Sequence, residues 1–292
     1  MPASIEPERS TFVDAGGVTI HYYVWRATEP RAVLQLAHGL GEYALRYQGL
    51  ADELVAAGIT VYANDHRGHG QTGLDQNGGD HTRLGKPGKG GIRAQVADLH
   101  QFTGIIAAEN PGIPLAYLGH SWGSLLGQLL INDHIDDFDA VILSGTAFRQ
   151  PGYMNSGDLN AKHKHLGSTG YEWLSRDPAV AQAFLDDKLT FYADALKLFG
   201  LIDGLKLFGR PRSPMPANVP LLIIIGDEDP LGGEASVEKL AEDYVQRGQL
   251  TDVEVFIYTG ARHELFHETN QQEVREDVLE WLEERMGLTV PS

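Results

Sequence analysis

The chain has 292 residues, 42% hydrophobic and 22% charged, so it is long enough to bury the core of one α/β domain with an insertion. Its 34 glycines and 14 prolines follow no three-residue period, which excludes a collagen-like chain. The absence of cysteine excludes disulfides, cysteine nucleophiles and thiolate metal sites. The formal net charge of −17 disfavours nucleic acids and anionic lipid surfaces as partners.

The sequence contains no candidate membrane span. Its longest strand-like apolar run is Leu221–Ile225, far below the roughly 18–20 residues that a spanning helix needs. Residues Met1–Ser10 are polar and acidic and lack the apolar stretch of a secretion signal. We therefore expect a cytoplasmic protein without stable membrane insertion.

Strand and helix patterns alternate along most of the chain, which is typical of a mostly parallel central sheet flanked by helices. An antiparallel hairpin around Gly16-Gly17 is predicted at the sheet edge. Further strands are predicted at 32–37, 59–63, 114–118, 138–144, 219–225 and 253–258, and helices at 48–57, 92–109, 122–134, 235–247 and 271–286. Between them, a glycine-rich turn is predicted at 65–73 and a polar loop at 75–91.

This alternation stops after Phe148 and resumes at Val219. We therefore predict a core formed by residues 1–148 and 219–292, and a helical cap, residues 149–218, inserted after the sixth strand. Inside the cap the pentapeptide LKLFG occurs at 196–200 and again at 205–209. The repeat allows two interpretations: short amphipathic turns packed on the core, or a flexible apolar gate beside a substrate channel.

The segment Gly119-His120-Ser121-Trp122-Gly123 fits the pattern G-x-S-x-G. The pattern alone is only suggestive, but here it follows a predicted strand and precedes an apolar helix, as in a nucleophile elbow. Side chains two residues before and after the serine would clash across so sharp a turn, which explains the glycines. The sequence therefore predicts Ser121 as a nucleophile at a helix N-terminus, where the dipole favours developing negative charge.

A serine nucleophile needs a base, and that base needs an orienting acid. The strand predicted at 219–225 leads into Asp227 and Asp229, and the strand at 253–258 leads to His263. Serine, acid and histidine thus follow one another in the chain order of α/β-hydrolases, each past the carboxyl end of a strand. His263 is the predicted base, and both aspartates are candidates for the acid.

An oxyanion hole requires two backbone N–H donors near the nucleophile. The N–H after the nucleophile belongs to Trp122, and Leu40, which follows the strand predicted at 32–37, is placed to supply the second. His38 in the same loop is interpreted as holding the loop by hydrogen bonds rather than as a base.

Two histidine pairs, His66/His69 and His163/His165, have spacings that metal sites use. Neither has a third ligand at a telling spacing. We therefore expect neither a metal site nor a cofactor.

Four short segments carry a family resemblance: H-G-x-G-E…R-Y at 38–47, D-x-R-G-H-G at 65–70, G-x-x-D at 226–229 and G-x-x-H-E…E at 260–268. Together they resemble the α/β-hydrolases of the monoacylglycerol lipase and lysophospholipase group, which is related to the S33 serine aminopeptidases. The third segment selects Asp229 as the acid. The similarity spans about 32–149 and 219–286 and includes none of the cap.

The resemblance implies an α/β-hydrolase fold and a cofactor-free serine hydrolase that cleaves monoacylglycerol or lysophospholipid-type esters through an acyl-enzyme. In the cap, the candidate walls of an acyl channel are Phe184, Leu196, Phe199 and Phe208. The chain departs from the group in two places. Trp122 stands where the group commonly has methionine after the serine, and the stretch 75–91 is longer and more polar than expected.

Several other activities share this scaffold. A small-ester carboxylesterase, a carbon–carbon bond hydrolase and a cofactor-free haloperoxidase would use the same triad. An aminopeptidase would need cap carboxylates such as Asp158, Glu172 or Asp187 turned inward to hold an ammonium group. The serine at the elbow argues against dehalogenases and epoxide hydrolases, which use aspartate there. The complete set of site residues argues against a non-catalytic binding protein.

Overall fold

A computed structural model describes residues 4–288, and within them the chain forms one eight-stranded sheet and eight α-helices. The strands are β1 (Glu8–Val13), β2 (Thr19–Trp25), β3 (Ala32–Ala37), β4 (Ile59–Asn64), β5 (Leu115–His120), β6 (Ala140–Ser144), β7 (Leu221–Gly226) and β8 (Val253–Tyr258). The helices are α1 (Gln48–Ala56), α2 (Gly70–Gln76), α3 (Gly91–Glu109), α4 (Trp122–His134), α5 (Pro178–Asp186), α6 (Ala195–Gly204), α7 (Glu234–Gln246) and α8 (Gln271–Arg285).

The strand order is β1-β2-β4-β3-β5-β6-β7-β8. The β1–β2 and β2–β4 pairs are antiparallel, and every pair from β4 to β8 is parallel. The predicted fold class, a mostly parallel sheet flanked by helices, is confirmed. Because the carboxyl ends of parallel strands share one edge, the residues that follow β3, β5, β7 and β8 are brought to the same side of the molecule.

The sheet separates two hydrophobic cores. Tyr117 of β5 packs on one face with α3, α4 and α7, whereas its neighbours Ala116 and Leu118 pack on the other face with α1 and α8. All six residues of β5 are buried, as expected for a parallel strand covered on both faces. No helix in the described range 4–288 is long and apolar enough to cross a bilayer.

Helix α2 is the main departure from the sequence prediction, which placed a turn at 65–73 and a loop from residue 75 onward. Gly73 lies inside this helix, and a Cβ there would come within 2.4 Å of the carbonyl carbon of Gly68. The glycine thus allows α2 to pack closely on the preceding turn. Because glycine is also typical of turns, the sequence pattern predicted a turn where the structure has a helix. Residues 77–90 are irregular apart from a short 3-10 turn, His81–Arg83.

The cap residues connect β6 to β7 and, all being described, contain no strand. Two helices, α5 and α6, account for only part of the segment, so turns contribute more than the predicted helical cap suggests. The first LKLFG copy lies in α6, where Gly200 interrupts the helix at φ 72°, and the second forms a 3-10 turn, Leu205–Leu207. Leu207 is buried in the main core, whereas Leu196 and Leu205 are exposed. The domain boundaries stay a prediction.

Candidate active site

Ser121 occupies a strained turn between β5 and α4. Its backbone has φ 51° and ψ −113°, in the region that non-glycine residues rarely adopt. A Cβ at Gly119 would lie 2.6 Å from the Gly123 carbonyl oxygen, and a Cβ at Gly123 would lie 2.0 Å from the Ala37 carbonyl oxygen. The two glycines therefore let the backbone close around the serine, and this geometry is that of a nucleophile elbow.

His263 and Asp229 form a buried hydrogen-bonded pair. His263 Nδ1 lies 2.8 Å from Asp229 Oδ2, and both side chains are almost fully buried. The Leu231 amide donates to the other carboxylate oxygen at 2.8 Å, which fixes its orientation. Asp227, the competing candidate, is exposed and instead accepts a hydrogen bond from the Gly260 amide at 2.6 Å.

Two opposing effects set the pKa of His263. Burial favours the neutral imidazole and lowers the pKa, but the charge of Asp229 and its hydrogen bond outweigh burial, so the net pKa is raised above its usual value. The pair therefore stabilises an imidazolium, which is the state that a general base reaches when it accepts a proton.

The second ring nitrogen of His263 is buried, and Nε2 has no hydrogen-bond partner in the described part of the chain. The ring lies 4.7 Å from that of Trp173, and its Cε1 would be 3.2 Å from a Cβ placed on Gly145. Gly145 directly follows Ser144, whose carbonyl accepts a 2.9 Å hydrogen bond from the Ser121 amide. The turn after β6 thus borders both the elbow serine and the free nitrogen of the imidazole.

The loop after β3 lies directly against the elbow. The Gly123 amide donates to the His38 carbonyl at 3.0 Å, and a Cβ on Gly39 would come within 3.2 Å of the Ser121 Cβ. The Leu40 amide donates to no other group within residues 4–288. Trp122 is the first residue of α4, where backbone N–H groups lack intrahelical acceptors. Two amides are therefore available beside the serine.

His38 holds this loop, as the sequence suggested. Its Nδ1 lies 2.7 Å from the Gly39 carbonyl oxygen, and its Nε2 accepts a hydrogen bond from the His66 amide at 3.0 Å. Burial, reinforced by the neighbouring His66, lowers the pKa of His38 well below its usual value. A neutral imidazole with both nitrogens engaged is a structural element rather than a base.

A buried ionic network connects the two halves of the site. Arg46 contacts Glu42 at 2.5 Å and binds both oxygens of Glu264 at 2.6 and 2.7 Å. Glu42 accepts in turn from the Gly39 amide at 2.6 Å and from the Tyr47 hydroxyl at 2.7 Å. The network therefore joins the loop after β3 to the residue that follows His263.

Arg46 is the guanidinium that these two carboxylates share. Burial works to raise the pKa of Glu264, but the Arg46 guanidinium outweighs it and holds that pKa well below its usual range. Sequence reasoning placed Glu42, Arg46 and Glu264 in family-like segments without assigning them a role. The spacing of Glu42 and Arg46 by four residues was the only local signal of their pairing.

The indole of Trp122 contacts both α3 and the cap. Its Nε1 donates to Gln95 Oε1 at 2.7 Å, and its ring stacks on Phe199 with centroids 4.5 Å apart and planes 8° from parallel. The indole is buried, and Phe199 is half-buried. The departure from the family pattern at Trp122 thus builds a contact between the nucleophile helix and α6.

The structure places the other candidate acyl-channel residues differently. Phe184 is buried against Tyr171, with ring centroids 4.6 Å apart, and under the guanidinium of Arg46. Leu196 and Phe208 are 61% and 37% exposed. Of the four predicted walls, Phe199 stacks on the residue that follows Ser121, and the roles of all four stay predictions.

The cap carboxylates weighed as ammonium ligands are engaged by their own chain. Glu172 is buried and accepts from Thr169 and Asn160, with contacts of 2.6 to 2.8 Å. Burial raises the pKa of Glu172, but these hydrogen bonds outweigh it and lower the pKa to about 2. Asp187 accepts from the Tyr43 hydroxyl at 2.7 Å, and Asp158 is exposed.

The histidine pairs considered as metal ligands make other contacts. His66 Nε2 lies 3.0 Å from the His38 carbonyl oxygen, and His163 Nε2 lies 3.2 Å from the Glu228 carbonyl oxygen. His165 is exposed.

A mostly parallel sheet with a strained serine after β5, a buried acid after β7 and its histidine after β8 defines an α/β-hydrolase. Comparison with known proteins specifies the family. A family model described as serine aminopeptidase, S33, matches residues 28–270, and the chain belongs to this family. The resemblance drawn from the sequence segments is thereby confirmed.

Several relatives span almost the whole chain. The monoacylglycerol lipase of Mycolicibacterium smegmatis is 32% identical over 313 residues, covering 97% of this chain and 99% of that protein. The human monoglyceride lipase is 27% identical, covering 94% of this chain and 89% of its own. A thermostable carboxyl esterase from Bacillus coagulans, solved with glycerol, shares the fold with a TM-score of 0.79 at 23% identity, covering 97% of this chain and 99% of its own.

Proposed function

We propose that the protein is a serine hydrolase of carboxylic esters and that its substrates are monoacylglycerols. The observation that carries the proposal is the buried Asp229–His263 pair, whose free Nε2 lies by the same turn that binds the strained Ser121. Beside a serine, a hydrogen-bonded pair of this kind with its second nitrogen free is suited to act as a general base. It removes a proton from a nucleophile and later returns it to a leaving group.

The reaction proceeds in two halves. Ser121 Oγ attacks the ester carbonyl carbon while His263 accepts the hydroxyl proton at Nε2, and Asp229 stabilises the imidazolium through Nδ1–H. The imidazolium then protonates the leaving alkoxide, which departs as the alcohol and leaves an acyl-enzyme. Water attacks the acyl carbon while the same imidazole takes its proton, and the imidazolium then returns that proton to Ser121 Oγ as the carboxylic acid departs.

The Leu40 and Trp122 amides hold the oxyanion of both tetrahedral intermediates. Leu40 belongs to the loop after β3 and Trp122 to the elbow, and the Gly123–His38 hydrogen bond of 3.0 Å holds these two segments together. Each amide is worth roughly 3–4 kcal/mol of the barrier, so a change in that spacing reduces the rate steeply.

Two features favour a glyceride ester over an N-terminal peptide. Phe199, a half-buried cap ring that stacks on the Trp122 indole, supplies an apolar wall for an acyl chain next to the helix that begins after the nucleophile. The cap carboxylates that an aminopeptidase would direct at an ammonium group are bonded to their own chain or exposed. The relatives named monoacylglycerol lipase and monoglyceride lipase support the same substrate class.

The test uses p-nitrophenyl esters from two to sixteen carbons, 1-monoacylglycerols and aminoacyl amides, with the wild type beside Ser121→Ala. We expect ester and monoacylglycerol hydrolysis that is lost in Ser121→Ala, with an optimum at medium or long acyl chains. Ser124→Ala is the matched control, because its hydroxyl only donates to the Ser121 carbonyl, a bond worth about 1 kcal/mol.

Each alternative has its own outcome. If activity is highest on acyl chains of two to four carbons and monoacylglycerols are not hydrolysed, the protein is a small-ester carboxylesterase rather than a lipase. Faster cleavage of aminoacyl amides than of esters indicates an aminopeptidase, and equal activity in Ser121→Ala refutes the nucleophile itself.

A further inference from the structure

Three side chains with metal-binding atoms meet at the end of α4 that lies farthest from Ser121. His100 comes from the middle of α3, His134 is the last residue of α4, and Asp137 ends the 3-10 turn that follows. Their ligand atoms all lie within 4.8 Å of one another. The two histidines are 34 positions apart in sequence and meet because α3 and α4 pack side by side on the sheet.

The three side chains of the cluster contact one another. His100 Nε2 lies 3.1 Å from Asp137 Oδ2, and the two imidazole rings stack with centroids 3.6 Å apart and planes 16° from parallel. In the part of the chain that the structure describes, the His134 side chain makes no hydrogen bond and contacts His100 through the ring stack. The neighbouring Asp133, in contrast, is paired with Arg212 at 3.0 Å.

The electrostatic surroundings favour a cation at this point. A helix carries partial negative charge at its C-terminus, and His134 is at the C-terminus of α4. The net charge of the chain is −17, which raises the local concentration of cations. Both histidines are half-buried and Asp137 is exposed, so an ion from solvent reaches the cluster without local unfolding.

We propose that His100, His134 and Asp137 form a surface binding site for a divalent transition metal, best suited to Zn²⁺. Two imidazoles and one carboxylate match the ligand preference of zinc and leave a fourth position for water, whereas Mg²⁺ and Ca²⁺ prefer oxygen ligands. Zinc–nitrogen bonds of about 2.0–2.1 Å in a tetrahedral site place two nitrogens roughly 3.4 Å apart. The ligand atoms lie within 4.8 Å of one another, so metal binding requires rotation of the partly exposed side chains to close that separation.

The site is independent of ester hydrolysis. Helix α4 has 13 residues, so its two ends are about 20 Å apart, and the metal contacts neither Ser121 nor His263. Its effect is mechanical, because an ion held by both helices links α3 to α4 in the folded state only and stabilises that state by mass action.

The test is calorimetric titration of chelator-treated, full-length protein with ZnCl₂ and separately with MgCl₂. We expect one zinc ion per chain with a micromolar Kd, no Mg²⁺ binding, and an unfolding midpoint that rises with zinc concentration. His100→Ala and His134→Ala should each weaken zinc binding by about tenfold or more. Asp137→Asn should weaken it too, whereas the matched control Asp136→Asn, the adjacent exposed carboxylate, should bind as the wild type does.

Three results would overturn the site: a folded wild type that binds no zinc, zinc binding that survives His100→Ala and His134→Ala, or zinc binding that is lost in His263→Ala. The circular dichroism spectrum of each variant verifies the fold. Ester hydrolysis by metal-free His100→Ala should equal that of the wild type, so failure of the metal site leaves the proposed hydrolase intact.

Discussion

The contact between Gly123 and β3 makes a sharp test of how the elbow is held. In the variant Gly123→Ala, the new methyl group would lie 2.0 Å from the Ala37 carbonyl oxygen and 2.5 Å from its carbonyl carbon. Ordinary contacts of a Cβ are 3.4 Å or longer, and both obstructing atoms belong to the backbone of a central strand. The elbow and β3 must therefore separate by about 1 Å or more.

That separation has two consequences. It stretches the hydrogen bond from the Gly123 amide to the His38 carbonyl and so moves the Leu40 amide away from Ser121. A displacement of about 1 Å in a catalytic constellation costs roughly 100-fold in rate. Overpacking of the core costs a further 1–3 kcal/mol or so of stability. We therefore expect kcat/KM to fall about 100-fold and the unfolding midpoint to fall by several degrees.

Gly104→Ala is the control for this experiment. Gly104 is exposed inside α3, and a Cβ there meets no atom within 4 Å. Alanine is the better helix former by about 1 kcal/mol, so this variant should be more stable and equally active. The assay is p-nitrophenyl ester hydrolysis combined with thermal unfolding. Wild-type kcat/KM in a folded Gly123→Ala protein would refute the argument that close packing of the elbow on β3 sets the oxyanion geometry.

Three further variants test other parts of the site. Asp229→Asn should lower kcat about 10⁴-fold. Only the neutral imidazole accepts a proton, so wild-type kcat/KM should rise with pH through the raised pKa of His263. In Asp229→Asn the pKa of His263 should fall, and the rise in kcat/KM should therefore occur at lower pH. A rise at the same pH in both proteins would contradict the Asp229–His263 pair. Arg46→Met should destabilise the fold by about 3–5 kcal/mol, since it leaves the buried Glu264 carboxylate without its cation, and an unfolding midpoint within about 2 °C of the wild type would contradict this. Phe199→Ala should reduce kcat/KM about tenfold on medium and long acyl esters but not on the acetate, and an equal loss at all chain lengths would show that the ring is no acyl wall.

Much of the fold was predictable from local patterns. A parallel strand buried on both faces is a short continuous apolar run, and β7 shows such a run directly. The G-x-S-x-G segment was informative because a strand precedes it and a helix follows it. The carboxyl ends of parallel strands pointed to His263 and to either Asp227 or Asp229, and the resemblance of residues 226–229 to a family segment selected Asp229.

Other features depend on contacts that no local pattern reveals. Arg46 and Glu264 are 218 positions apart, and only the folded sheet shows that they share a buried ion pair. The direction of the Trp122 ring depends on Phe199 in the cap, a segment outside the family-like similarity. Helix α2 was missed because glycine at position 73 permits close packing as well as turns. In each case the local sequence is compatible with more than one arrangement, and contacts between distant segments determine which one forms.

The central claim is that Ser121 is a nucleophile activated by His263. The most direct measurement is labelling with a fluorophosphonate ester, followed by peptide mapping of the adduct by mass spectrometry. We expect one adduct per chain, located on Ser121, absent in Ser121→Ala and formed far more slowly in His263→Ala. An adduct on another residue, or a folded wild type that remains unlabelled while it hydrolyses esters, would contradict the account.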